Sequence, residues 1–417
     1  MEYRGRSRKA DGSSRLSNTV NVATRLNWEE FDRMRKIIWY LIHKNEQTTI
    51  QIDFKSTEIV YPNGIVPLIA FIKHYQNEGV EFVIIPPVSV KLNKLIRFEG
   101  WFHAIDPNRF SEPSIHGYNS LPLKRFTNDD ELNASVNAAI EVAIRNLILA
   151  KSVPDAFEWT LNELAGNVLH HADIDEGYLQ VNTFKGSGSL SLIVVDGGIG
   201  VPKSMRMRFS DLRNDRLALE RAMQKGVTSK PDFGQGNGLA GCVAIAMASS
   251  GSFALTSGGA RATVEQGRLA VRDFSPPVFG TIVELQIPTT VEIDLPSALG
   301  GHSPSGYIEE KYAREKNITR LNLVECAPTF GNRITGEKIR TIIQNLLNSN
   351  SHGDIEIDFS GVNVVASSFA DEVFGKLFLL LGPLEFGSRI RYIGVNGTCK
   401  QIINSAIQER AAQGLTV

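Results

Sequence analysis

Two pentapeptides, Ile50-Gln51-Ile52-Asp53-Phe54 and Ile355-Glu356-Ile357-Asp358-Phe359, repeat the pattern I-x-I-D-F at an offset of 305 residues. Apolar side chains at every second position send one face into a core and leave the other polar, the period of a strand. A strand cannot satisfy its own backbone, so each pentapeptide commits its surroundings to a sheet. The surroundings also match. A helical pattern precedes each strand (residues 28–44 and 336–348), and a short apolar patch follows (59–61 and 362–365). Then come a turn opening a helix (62–77 and 367–381), a second strand (82–85 and 390–393) and a last helix (89–99 and 398–411). Such alternation predicts sheets covered by helices. Two similar small α/β modules, residues 19–110 and 306–417, are therefore expected to flank a different centre.

Turn formers concentrate in residues 105–130 and 288–306, which mark the expected boundaries. A length of 417 residues agrees with two or three domains at roughly 150 residues each. Hydrophobic residues at 42% and charged residues at 21% belong to an ordinary folded protein. The 44 Lys and Arg nearly cancel the 45 Asp and Glu, which leaves no global field to attract nucleic acid or anionic lipid. Cys242, Cys326 and Cys399 stand far apart without a C-x-x-C pair, against a zinc site or a disulfide framework. No apolar run of membrane-spanning length and no signal peptide occur, so a cytoplasmic protein is expected. Residues 1–18, with Arg4, Arg6, Arg8, Lys9 and Arg15 among Gly and Ser, read as a disordered basic leader.

The centre opens with a helical pattern at residues 131–152, where Leu132, Val136, Ala139, Ala143 and Leu147 recur at three- and four-residue steps. A second helix, residues 155–172, carries Glu163, Asn167 and His171 four apart on one face. An acid and an amide placed this way could hold a hydrated cation and a water, although polar residues at this spacing also make a solvated face. The strand at 190–195 then ends in Asp196-Gly197-Gly198-Ile199-Gly200. Here a carboxylate can accept a hydrogen bond from an exocyclic amine while glycines let backbone approach a flat ligand; the alternative is an Asp-Gly hairpin turn. Third, Gly234-Gln235-Gly236-Asn237-Gly238-Leu239 precedes a helical stretch, an arrangement that aims N–H groups at phosphate. Between the second and third elements, residues 201–233 hold eight Lys and Arg against four Asp and Glu, a local net of +4. This segment reads as a lid over phosphate, with Lys230 beside the glycine loop, or as a solvated helix.

Glu163 and Asn167 on a helix, Asp196-x-Gly198-x-Gly200 after a strand, Gly234-x-Gly236-x-Gly238-Leu239 before a helix and Gly280-Thr281 entering a strand occur in an order that resembles the GHKL ATP-binding proteins. The resemblance covers residues 130–290. It implies an α/β sandwich, the Bergerat fold, with Mg-ATP as cofactor. Asn167 would be the magnesium ligand, Asp196 the adenine acceptor, and Thr281 its helper. Gly198 and Gly200 would shape the base pocket, while Gly234, Gly236 and Gly238 would meet phosphates, with Leu239 and Lys230 beside them. Glu163 stands where the ATPases and anti-sigma serine kinases of that family keep their general base. The string Asn162-Glu163…Asn167…His171 looks most like those serine kinases.

The ends are similar to STAS modules, in which a turn at a helix start carries a phosphorylated serine. Here that turn is Ala366-Ser367-Ser368-Phe369, without the usual Asp and Gly. Ser367 and Ser368 are thus candidate phosphoacceptors, and Ser368 with Asp371 also fits a capping box. The N-terminal copy has Pro62 and Asn63 there and is expected to be a pure interaction module. Three functions follow from the resemblance: a regulatory ATPase switching a protein partner, a serine protein kinase, or a non-catalytic ATP-dependent adaptor. A homodimer is compatible with all three.

Overall fold

The computed structural model describes residues 18–113, 120–171, 176–229, 236–301, 306–315, 318–350 and 353–414. The described residues form a mixed α/β molecule with four sheets among them. The basic leader, Lys230 and Gly234 lie outside the described residues, as does the side chain of His171.

The first unit contains β1 (Thr19–Asn21), β2 (Arg25–Leu26), α1 (Trp28–His43), β3 (Thr49–Asp53), β4 (Ile59–Val60), α2 (Pro62–Asn77), β5 (Glu81–Ile85), α3 (Val90–Glu99) and α4 (Trp101–Ile105). β3, the first I-x-I-D-F strand, is the middle of the parallel sheet β1-β3-β5. Ile50, Ile52 and Phe54 are completely buried, as the alternation requires. The apolar patch after it makes β4, a two-residue parallel partner of β2. Helix starts follow local chemistry: Asn27 Oδ1 accepts from Glu30 N at 3.1 Å and Ser89 Oγ from Leu92 N at 3.3 Å.

The middle unit holds β6 (Ser120–Phe126), α5 (Asp129–Asn146), α6 (Val153–His171), β7 (Gly177–Phe184), β8 (Ser189–Asp196), α7 (Gly200–Arg208), α8 (Asp215–Ala222), α9 (Gly238–Ala248), β9 (Ser252–Glu265), β10 (Arg268–Pro288) and α10 (Leu295–Ala298). Its antiparallel sheet has the order β6-β7-β8-β10-β9. Two sequence expectations change here. The stretch at 105–130, where turn formers mark an expected boundary, supplies β6, an edge strand of this sheet. The helix expected to run to residue 152 stops at Asn146, because Leu147 and Leu149 are drawn out to meet Asn345. Asn345 Nδ2 donates to the carbonyls of Ile144 and Leu147, and its Oδ1 accepts from Leu149 N, each at 2.8 Å.

The last unit contains α11 (Tyr307–Tyr312), β11 (Ala313–Glu315), β12 (Ile318–Asn322), α12 (Leu323–Cys326), α13 (Arg333–Ser349), β13 (Asp354–Asp358), α14 (Ser367–Ala370), α15 (Lys376–Arg389), β14 (Ile390–Ile393) and α16 (Gly397–Gly414). β13, the second I-x-I-D-F strand, lies between the parallel strands β12 and β14. A π-helical segment, Asp371–Gly375, joins α14 to α15, and Gly382 breaks α15 with φ 75° and ψ 166° before Pro383.

Both faces of the middle sheet are covered. Leu190, Leu192, Val194, Val283 and Leu285 face a core shared with α5, α6, α9 and the last unit. Their alternate neighbours Tyr178, Ile193, Val195 and Ile282 pack with the first unit, where Phe279 of β10 stacks on His74 of α2 at 3.6 Å. Arg35, fully buried, bonds the carbonyls of Ser275 and Pro276, and its guanidinium lies 3.9 Å from the Phe274 ring centre. A fully polar bridge crosses the same boundary: Trp101 Nε1 donates to Gln180 Oε1 at 2.8 Å, Gln180 Nε2 to Glu99 Oε2 at 2.8 Å and Ser120 Oγ to Glu99 Oε1 at 2.9 Å.

Candidate functional site

Asp196 ends β8 and is buried in strand register with Thr281 of β10. Its Oδ1 accepts from Gly198 N at 2.8 Å. Burial pushes the carboxyl up to about 6, against the opposing pull of bonds from Gly198 and Thr281. The chain after Asp196 enters α7 directly, so the hairpin alternative fails. Gly200 begins that helix at φ +76°, and a Cβ there would lie 2.7 Å from Ser257 Oγ and 2.9 Å from Gly280 O. Ser257 Oγ, which accepts from Val201 N at 2.9 Å and donates to Gly280 O at 2.7 Å, ties this turn to the strand that carries Thr281.

α6 turns Leu161, Leu164 and Val168 into the core and leaves Glu163 and Asn167 half-buried on its other side. Opposite them α9 starts at Gly238. A Cβ on Gly238 would collide with the Glu163 carboxylate and come within 3.7 Å of Asn167 Nδ2. The glycine loop is therefore seated on the acid and the amide, which the linear spacing alone could not show. Gly236 has φ +73°, and a Cβ would meet the Val227 backbone at 2.5 Å. Gly236 O accepts from Val227 N at 3.2 Å and Asn237 Oδ1 from Gly226 N at 3.0 Å, so the loop is laced to the end of the basic segment.

These residues line one cavity of about 880 Å³: Glu163, Asn167, Asp196, Gly200, Gly236, Gly238, Leu239 and Thr281. Gly198 is not among the lining residues; it bears on the cavity only through its bond to Asp196. Met205, Met223, Leu255 and Val283 add apolar wall. The basic segment is split between roles: α8, with Asn214 Oδ1 capping Leu217 N at 2.9 Å, exposes Arg216 and Arg221 but buries Ala218, Leu219 and Ala222, and Ala222, Lys225, Thr228 and Ser229 line the cavity. Lys225, one of the eight basic residues of the expected lid, is a wall residue, and sequence reasoning missed Leu299 and Gly300, which come from the boundary stretch at 288–306. Gly300 adopts φ +67°, and the Lys225 ammonium occupies the place a Cβ would take. The only available signal was a Gly-Gly pair after an apolar turn, common to many linkers.

Ser367 and Ser368 are not in the cavity lining. Ser367 is exposed and Ser368 half-buried in the first turn of α14. The capping box expected of Ser368 and Asp371 does not form. The cap residue is Ala366, without a side-chain bond, and Asp371 is taken by Arg410 at 2.6 and 2.9 Å and by Arg333 at 3.2 Å. Those guanidinium bonds hold the Asp371 carboxyl below its ordinary range.

Residues 335–399 match the family model described as a STAS-like domain of unknown function (DUF4325), so the last unit contains a STAS-like domain. No curated protein matches the chain. Among the described residues, no helix is long and apolar enough to cross a membrane, and no cluster of His, Cys, Asp and Glu has the make-up of a metal site.

Proposed function

We propose that the middle unit is a GHKL-type domain that binds Mg-ATP in the 880 Å³ cavity and acts as a regulatory ATPase, its nucleotide state changing contacts made by the STAS-like ends. The observation that supports this most is the convergence of Glu163, Asn167, Asp196, Thr281, Gly236 and Gly238, from four separate elements and the loop before α9, on one space. The donor set fits the ligand. A buried carboxylate with Thr281 beside it suits an exocyclic amine, apolar side chains suit a purine ring, and a helix start with glycines suits phosphate. Asn167 would hold magnesium, which supplies charge neutralisation when bound. Glu163 would orient water and hold its proton, which requires it to stay near the glycine loop, as it does through Gly238.

The test is phosphate release by wild type and Glu163→Ala, with nucleotide uptake followed by calorimetry. Retained uptake with release lowered on the order of a hundredfold or more is expected for loss of a general base. Equal rates remove Glu163 from that role, and absence of any adenine nucleotide uptake removes the whole reading.

A serine kinase is the second reading, supported by the exposed Ser367 at a helix start. Intact mass after incubation with Mg-ATP separates the two: hydrolysis without a phosphate added to the chain excludes self-phosphorylation at Ser367 or Ser368.

A further inference from the structure

Helix α3 buries Leu92 and Ile96 and turns its opposite side to solvent. At about 100° per residue that side reads Arg97, Val90, Lys94, Lys91 and Leu95 in order around the axis, so cations and apolar side chains alternate within one exposed face. Val88, two residues before the helix, is 76% exposed and Val90 is 70% exposed. The loop that carries them is already fixed. Ser89 Oγ accepts from Leu92 N, and Asn93 Nδ2 donates to the carbonyls of Pro87 and Ser89, so both valines project from an ordered turn.

The near-zero total charge conceals the sign of this face. Residues 82–98 contain two Lys, one Arg and no Asp or Glu. Lys91, Lys94 and Arg97 make no ion pair among the described residues. On other helices exposed cations are answered along the same helix, Lys36 by Asp32 on α1 and Arg216 by Glu220 on α8. A protein partner is held in register by charges of both signs or by an anchor in a pocket, and a single nucleic-acid strand by aromatic platforms. The outward face of α3 carries one sign, valines that project, and no exposed aromatic ring. One sign interleaved with projecting apolar side chains fits diffuse negative charge lying over hydrocarbon, where long cationic stems keep their heads at the surface while the valines go below it. We infer that α3 and its Val88 entry are the docking face for an anionic lipid membrane, with Lys91, Lys94 and Arg97 at the headgroups and Val88 and Val90 beneath them.

Co-sedimentation of the full chain with vesicles tests this, using phosphatidylcholine alone and phosphatidylcholine mixed with phosphatidylglycerol. Wild type should pellet with the mixed vesicles only, and less at high salt. Each lysine near such a surface contributes about fivefold, so Lys91→Gln/Lys94→Gln should weaken the affinity on the order of twentyfold. Val88→Ser/Val90→Ser should weaken vesicle binding on the order of tenfold while leaving retention on heparin unchanged. All four side chains are exposed, and matching circular dichroism checks that the variants fold. Wild type that ignores the mixed vesicles overturns the proposal. So does binding unchanged in the lysine variant, which would assign the contact to another basic segment, or binding indifferent to the valine pair, which would reduce the face to a general polyanion contact. Retention on immobilised polyglutamate without vesicle binding would assign the face to an acidic protein instead.

Discussion

Glu99 and Asp196 are two carboxyls that burial keeps closer to protonation than a carboxyl in water, to about 7 and about 6. Their surroundings separate their roles. Both Glu99 oxygens are taken by Ser120 and Gln180 in the bridge between the first two units, whereas Asp196 faces the cavity. Because the folded value of Glu99 lies above its ordinary 4.5, its favourable contribution is fully present below about 4.5 and fades as pH rises through about 7. The shift corresponds to roughly 3 kcal/mol. Denaturant unfolding of wild type and Glu99→Gln between pH 4.5 and 8 should therefore show wild type losing up to about that much relative to the variant, which lacks the titration. Parallel curves would mean that the carboxyl titrates normally. Nothing in the sequence singled out Glu99, because its environment comes from Gln180, 81 residues away.

At the scale of elements, α6 and α9 make the site by facing each other, with Gly241 against Trp159 and Gly238 against Glu163. A methyl group on Gly238 has to displace the Glu163 carboxylate, while the helix itself tolerates alanine well. Gly238→Ala is expected to cut phosphate release on the order of a hundredfold while changing unfolding free energy by less than about 1 kcal/mol. Loss of both together would show that the glycine is needed for folding instead. The fours on α6 were legible as a shared face, and the glycine run was legible as a helix start. That the two meet was not, since the intervening 70 or so residues fold into two strands and two helices before returning. The end of α5 was illegible for a similar reason: the apolar stripe continues through Leu147, and partners distant in the chain, Asn345 and Asn348 of α13 and the Thr289 carbonyl, hold that segment out of the helix.

At the scale of the molecule, the three units share cores and are not beads on linkers. Asn345 is the clearest fastener, completing three backbone bonds of the α5–α6 connection from α13. Asn345→Ala leaves those groups buried and unpaired, at a cost of about 3 kcal/mol at about 1 kcal/mol each. Wild type should unfold in one transition in calorimetry and the variant in two, with the STAS-like domain separating first. A single transition shifted by less than about 1 kcal/mol would show the fastener to be dispensable. Residues 105–130 and 288–306 read as domain boundaries because turn formers concentrate in them, yet they contribute β6 and the Leu299–Gly300 wall of the cavity. Local composition reports flexibility of the unfolded chain and is silent on what a segment packs against. The repeated strands, the helix caps and the order of glycine and acid motifs were decided by the sequence itself, because backbone period and capping act over a few residues. Tertiary structure alone decided that the first unit covers the middle sheet and that the glycine loop rests on Glu163. Each of those depends on partners distant in the chain: Gly238 lies 75 residues from Glu163 and Phe279 lies 205 residues from His74.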